Sequence, residues 1–183
     1  MKTQFKVGDI LNFRNDGSFY SVAIRFFNRI VYGIDGFTHT AIIIKTDPVT
    51  VAQALPSGFQ IKEIYMPWLN NSIKSGLIEV TESKIKLKNV EKVARTYEGK
   101  PYGFGDIFSI FTILLFRGRS MGFSGSKRLI CSEAVARLLF DCSNKKIMLG
   151  YNKKKDKSKS EYQKKYDLIT PTDVAYSRFV KWL

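Results

Sequence analysis

Three side chains in this chain of 183 residues have the chemistry and the surroundings for covalent catalysis: a thiol, an imidazole and an amide. The thiol is Cys131, at the head of CSEAVARLLF. Ala134, Val135, Leu138 and Leu139 recur there at helical spacing, which predicts a helix beginning at about Cys131. At a helix start, unpaired backbone N–H groups and the helix dipole favour an anion. Thiolate is the nucleophilic form of cysteine, and Lys127 and Arg128 lie just upstream. The imidazole is His39, in FTHTAIII, a run that reads as a strand over 38–44. On a strand of period two it shares a face with Ala41 and Ile43, and small Ala41 leaves room for a helix. The amide is Gln53, the odd polar residue in VTVAQAL. Each also has a plainer reading: a buried cysteine, a satisfied core histidine and a half-exposed strand glutamine.

The elements that must position these groups can be read around them. Lys45-Thr46-Asp47-Pro48 is turn chemistry, so 38–44 and 49–55 form an antiparallel hairpin. His39 and Gln53 have the same parity, and a three-residue turn puts them on one face within ~5–8 Å. Gln53 could then accept from one imidazole nitrogen and orient the other toward a thiol, the nucleophile–base–orienter logic of a cysteine hydrolase. Further strands are expected over 7–13, 59–64 and 76–81. Helices are expected over 21–32, capped by Ser18 or Ser21, and over 88–98. A loop from Gly99 to Asp106 leads into 107–116 (IFSIFTILLF), a helix apolar on all faces and capped by Asp106. Such a helix belongs in a core, against a partner or on a membrane. The segment LITPTDVAYSRFVKWL is apolar enough to return to the core.

Composition narrows the function classes. One histidine and two cysteines supply at most three soft ligands, which excludes zinc fingers and zinc knuckles, and neither a metal nor a cofactor is expected. Cys131 and Cys142 lie on or near one predicted helix, ~16 Å apart at ~1.5 Å per residue, too far for a disulfide. Both read as free thiols of a reducing compartment. MKTQFKVGDIL lacks the apolar stretch of a secretion signal, so the expectation is a cytoplasmic or phage-type, virion-associated protein. No apolar run approaches the ~20 residues that span a bilayer. The formal net charge is +14, and nine lysines against two acids fall between Lys145 and Lys165. That stretch reads as a solvated loop or arm. Lys153, Lys154, Lys155, Lys157 and Lys159 would suit an anionic surface, whereas a sequence-specific nucleic-acid reader is not expected.

The ordered set of these pieces resembles a known family. Gly8-Asp9-Ile10 precedes Thr38-His39-Thr40-Ala41-Ile42-Ile43; Ala52-Gln53-Ala54 follows with Gly58; then come Tyr97 to Tyr102, Cys131-Ser-Glu-Ala-Val-Ala and Thr170-Pro-Thr-Asp173. From Gly8 to about Ser177 the chain resembles the circularly permuted papain-like hydrolases of the NlpC superfamily, in particular the YiiX-like branch, where the histidine strand precedes the cysteine helix. The resemblance implies a single α+β domain over 1–183. It implies a barrel-like antiparallel sheet of about five to six strands against a Cys-bearing helix and further helices. It also implies a Cys131 nucleophile, a His39 base and a Gln53 orienter, with Tyr102 and Ser132 at the substrate cleft. Such enzymes form acyl-enzymes on amides or esters of peptides, cell-wall material or lipids. The orienter is often acidic in these relatives; an amide would stabilise an imidazolium less. Two alternatives follow: a weak or inactive binding protein on the same fold, or a lipid-directed acyl hydrolase or acyltransferase at a membrane surface.

Overall fold

The structure is a computed structural model that describes residues 4–14, 19–104, 128–147, 149 and 169–183. The expected apolar helix 107–116 with its Asp106 cap, Ser18, Lys127 and Lys153 to Lys159 all lie outside the described residues.

Six strands form one antiparallel sheet: β1 (Ile10–Phe13), β2 (His39–Thr46), β3 (Val49–Leu55), β4 (Gly58–Glu63), β5 (Ile78–Ser83) and β6 (Val180–Trp182). Their order is β4-β3-β2-β1-β5-β6, so β4 and β6 are the outermost strands. The expected barrel is therefore corrected to an open sheet: β4 pairs with β3 and β6 with β5, at opposite ends. Helices α1 (Phe19–Tyr32), α2 (Met66–Lys74), α3 (Val90–Arg95), α4 (Cys131–Cys142) and α5 (Pro171–Ala175) complete the described elements. The first strand begins at Ile10 because Gly8, at φ +95°, turns the chain there. Ser21 falls inside α1, in its first turn, and is not the residue before it.

Period-two alternation divides the core into two layers. Ile10, Ile42, Ile44, Ala52, Ala54 and Phe59 face α4 and pack with its Ala134, Val135, Leu138 and Leu139. Leu11, Phe13, Ala41, Ile43, Val51 and Ile78 face the other way, with Leu69 of α2 among them. Burial of each such aliphatic side chain contributes roughly 1.5–3 kcal/mol. Ala52 and Ala54 are thus the small residues beneath the Cys-bearing helix. Ala41, expected to admit it, lies on the opposite face.

Two loops seal the sheet to its surroundings. Gly58 sits at φ +108° with the Lys100 carbonyl 2.9 Å from where a Cβ would be, so a side chain there meets backbone. The close approach lets Phe59 N–H donate to Lys100 O at 2.8 Å and Gly99 N–H to Phe59 O at 3.1 Å. α5 is anchored by a capping box in which Thr170 and Asp173 satisfy each other's backbone N–H groups.

Candidate active site

His39 opens β2, opposite Phe13 of β1, and is 7% exposed. The two rings meet at 5.1 Å between centroids, tilted by 59°. His39 Nε2 lies 2.8 Å from Gln53 Oε1. An amide oxygen can only accept, so the Nε2–H donates and Nδ1 holds the lone pair of the neutral ring.

The His39–Gln53 pair depends on one irregularity. The turn between β2 and β3 is tight: Thr46 pairs with Val49 and Lys45 with Thr50. Continued unbroken, that register would place Gln53 across from Ile42, on the face His39 does not share. The register shifts between Ile43 and Lys45, so that Ile43 pairs with Val51 and Ile42 with Ala52. Ile44 is the extra residue of a β-bulge. One step further, Gln53 falls across from Ala41, on the face of His39 and diagonal to it. The extra residue expected in the turn is in the strand.

Cys131 is the first residue of α4 and is 3% exposed. The preceding Ile130 is extended and makes no side-chain cap, which leaves the first-turn N–H groups without that partner. The direction of α4 follows from its ties. At its far end, Lys88 N–H donates to Cys142 O at 2.8 Å, Leu87 packs against Gly8, and Gly8 N–H reaches Ile43 O at 2.7 Å. At its near end, Ser132 Oγ–H donates to Ile169 O at 2.6 Å. Three residues on, Thr172 Oγ1 accepts from Phe37 N–H at 3.1 Å, two residues before His39. Cys131 therefore lies over the His39 end of β2. The body of α4 covers the face opposite the His39–Gln53 pair.

Tyr102 is half-buried and forms an isolated parallel bridge with Leu129, two residues before Cys131. Its ring meets Phe104 edge-on at 5.0 Å. Ser132 is fully buried with its hydroxyl on Ile169, so its side chain serves the fold.

Further along α4 lies a row of charge. Glu133 and Arg137 form a buried ion pair one turn apart, and Tyr97 donates its hydroxyl proton to Asp141. Lys100 Nζ sits 4.3 Å above the Tyr97 ring; burial, then the Arg137 guanidinium, lowers its pKa. Cys142 is a free buried thiol pushed up to about 12 by burial and by the Asp141 carboxylate.

Sequence reasoning missed Phe13 and the ties by which the C-terminal segment, expected in the core, reaches Ser132 and Phe37. The T-x-x-D spacing of Thr170 and Asp173 was a legible capping signal. Phe13 carried none, because an apolar residue at a strand end reads as core.

The class of protein this architecture defines is an α+β protein of YiiX-like fold. The crystal structure of the metalloprotein YiiX from Escherichia coli O157:H7 matches 98% of this chain and 97% of its own, with a TM-score of 0.63 at 18% identity. At that identity the likeness is one of fold. No family model matches the sequence, and no curated protein matches it. Among the described residues no three His, Cys, Asp or Glu side chains gather as a metal-ligand set. No described helix is long and apolar enough to cross a membrane.

Proposed function

We propose that this chain is a thiol hydrolase of the permuted papain-like type, acting on an amide or ester bond. The observation that carries the reading is the His39 Nε2–Gln53 Oε1 hydrogen bond of 2.8 Å at the end of the sheet where Cys131 begins its helix. In the reaction, His39 takes the Cys131 proton and the thiolate attacks the carbonyl carbon. First-turn N–H groups of α4 hold the developing oxyanion. His39 then gives its proton to the leaving amine or alcohol, and water releases the acyl group by the reverse sequence. Gln53 keeps the imidazole in the tautomer and orientation the first step needs. Tyr102, bridged to Leu129 two residues before Cys131, lines the acyl cleft.

A thiol-directed probe such as iodoacetamide tests this. Labelling should disappear in Cys131→Ala, persist in Cys142→Ala, and slow by about 10²-fold or more in His39→Ala, the range a general base contributes. Labelling that survives loss of Cys131 and vanishes with Cys142 would overturn the assignment.

One observation favours a weaker catalyst or a binding protein on the same fold: the orienter is an amide, which supports an imidazolium less than a carboxylate does. Failure of wild type to turn over peptide, ester or lipid substrates while still being labelled would select that reading. The lysine-rich stretch and the net charge of +14 favour an anionic surface as the place of action, lipid included. Sedimentation with anionic vesicles at low salt tests it, and absence of binding removes it.

A further inference from the structure

The segment from Tyr176 to Leu183 reads YSRFVKWL: three aromatic rings, two cations and no acid. It leads from α5 into β6, the outermost strand of the sheet beyond β5. Val180 of β6 is buried, whereas Trp182 is 42% exposed and Tyr176 is 56% exposed. Both exposed rings are nonetheless held in place. Trp182 stacks on the fully buried Phe37, with 5.8 Å between centroids and 29° between planes, and Tyr176 meets the indole edge-on at 5.3 Å. Phe37 thus backs the indole, and the exposed part of the indole lies away from it. The Arg14 guanidinium also rests on Phe37, 4.9 Å from its centroid. Arg178, exposed two residues after Tyr176, lies 4.9 Å from the Phe179 ring centroid. Lys181, exposed beside Trp182 in the chain, shares the Glu82 carboxylate with Lys6, so two cations there face one acid.

We propose that Trp182 and Tyr176 form a stacking platform for single-stranded nucleic acid, bound without regard to sequence, with Arg178 and Lys181 meeting its phosphates. A ligand that uses this surface fully must offer a flat π face to the indole and negative charge to the neighbouring cations. A nucleotide strand offers both in every repeat. Each base has a π face, so stacking needs no base-specific hydrogen bond. A neutral sugar ring offers a face and no charge. An anionic bilayer offers charge and no flat partner for a ring. Because Phe37 fixes the indole before a ligand arrives, little side-chain freedom is lost on stacking. The platform involves no covalent step, and it stands whether or not Cys131 is a nucleophile.

The chain has two tryptophans, so Trp68→Phe leaves Trp182 as the sole indole reporter. In that variant a single-stranded oligothymidylate of about ten nucleotides, within the site sizes such surfaces cover, should quench the indole emission. Binding should weaken as salt rises from ~50 to ~200 mM, because phosphates are being neutralised. Trp182→Ala should weaken binding roughly 5- to 150-fold, the loss of one stacked base, whereas Trp182→Phe should keep most of it. Arg178→Gln with Lys181→Gln should lower the slope of log affinity against log salt by about two. Cys131→Ala should bind as wild type does. Unchanged emission at saturating oligonucleotide, or wild-type affinity in a folded Trp182→Ala protein, would overturn the proposal and assign any binding to lysines elsewhere in the chain. If circular dichroism shows Trp182→Ala unfolded, an unchanged salt slope in the Arg178→Gln, Lys181→Gln protein overturns it instead. Quenching by anionic vesicles or by a neutral oligosaccharide, with none by the oligonucleotide, would give the platform to that partner and overturn it as well.

Discussion

In the proposed reaction His39 acts as a base with the amide of Gln53 at its Nε2. The Gln53 amide accepts from Nε2 but carries no charge, so it would offer an imidazolium of the proposed reaction a dipole where a carboxylate would offer an ion pair. Gln53→Glu should therefore raise the imidazole pKa and shift the pH profile of Cys131 alkylation upward. Gln53→Leu should slow alkylation by roughly 10- to 100-fold, since ring orientation and tautomer are lost together. Cys142 behaves oppositely to a nucleophile. Its thiol, pushed up to about 12, stays protonated in the fold, so the same probe should spare it until the protein unfolds. The sign for stability follows. The unfolded thiol ionises near its ordinary 9.0 and the folded one near about 12, so stability is intact below 9 and falls as pH rises from there toward 12. Cys142→Ala should flatten that part of an alkaline denaturation curve, read by urea midpoints at rising pH.

At β2 and β3, alternation and turn chemistry made the hairpin legible, and the matching parity of residues 39 and 53 implied a shared face once one extra residue was counted between them. What the residues could not display was where the extra residue sits. A two-residue turn with a bulge and a three-residue turn place His39 and Gln53 alike, because either adds one residue to the same arm. Deleting Ile44 should leave a hairpin whose His39 and Gln53 lie on opposite faces. Its single imidazole should then lose the Nε2 hydrogen bond, visible as a displaced 15N resonance. The barrel expected from family resemblance failed because closure is a property of strand pairing, and β6 pairs with β5 instead of returning to β4. Helix α2 escaped notice because MPWLNNSIK is short and buries only Leu69 and Ser72. α4 was plain from its apolar stripe, but its Glu133–Arg137 pair was not, since charges one turn apart usually face solvent. Here both are buried. Arg137→Ala should cost about 3–5 kcal/mol by stranding the carboxylate, whereas replacing both partners with apolar residues of similar volume should cost little, as chemical denaturation would show.

Across the molecule, the candidate site is drawn from distant parts of the sequence: β2 and β3 near the beginning, α4 late, and a strap at 169–183. That strap joins the start of α4 through Ser132, the approach to His39 through Thr172, and the sheet edge through β6. Ile169, Val174 and Val180 are buried by it. Removing residues 169–183 should therefore abolish a single cooperative thermal transition instead of trimming a tail. Thr170→Ala, which loses the cap but keeps the strap, should cost only about 1 kcal/mol and leave the transition cooperative. The strap also has a meaning in time. A ribosome makes His39 and Gln53 first, Cys131 much later, and the residues that bring both ends of the site to one place last. Until those have been synthesised the proposed nucleophile has no fixed imidazole beside it. A protein wired in this way brings its proposed nucleophile and base together in one event, after the strap has been made.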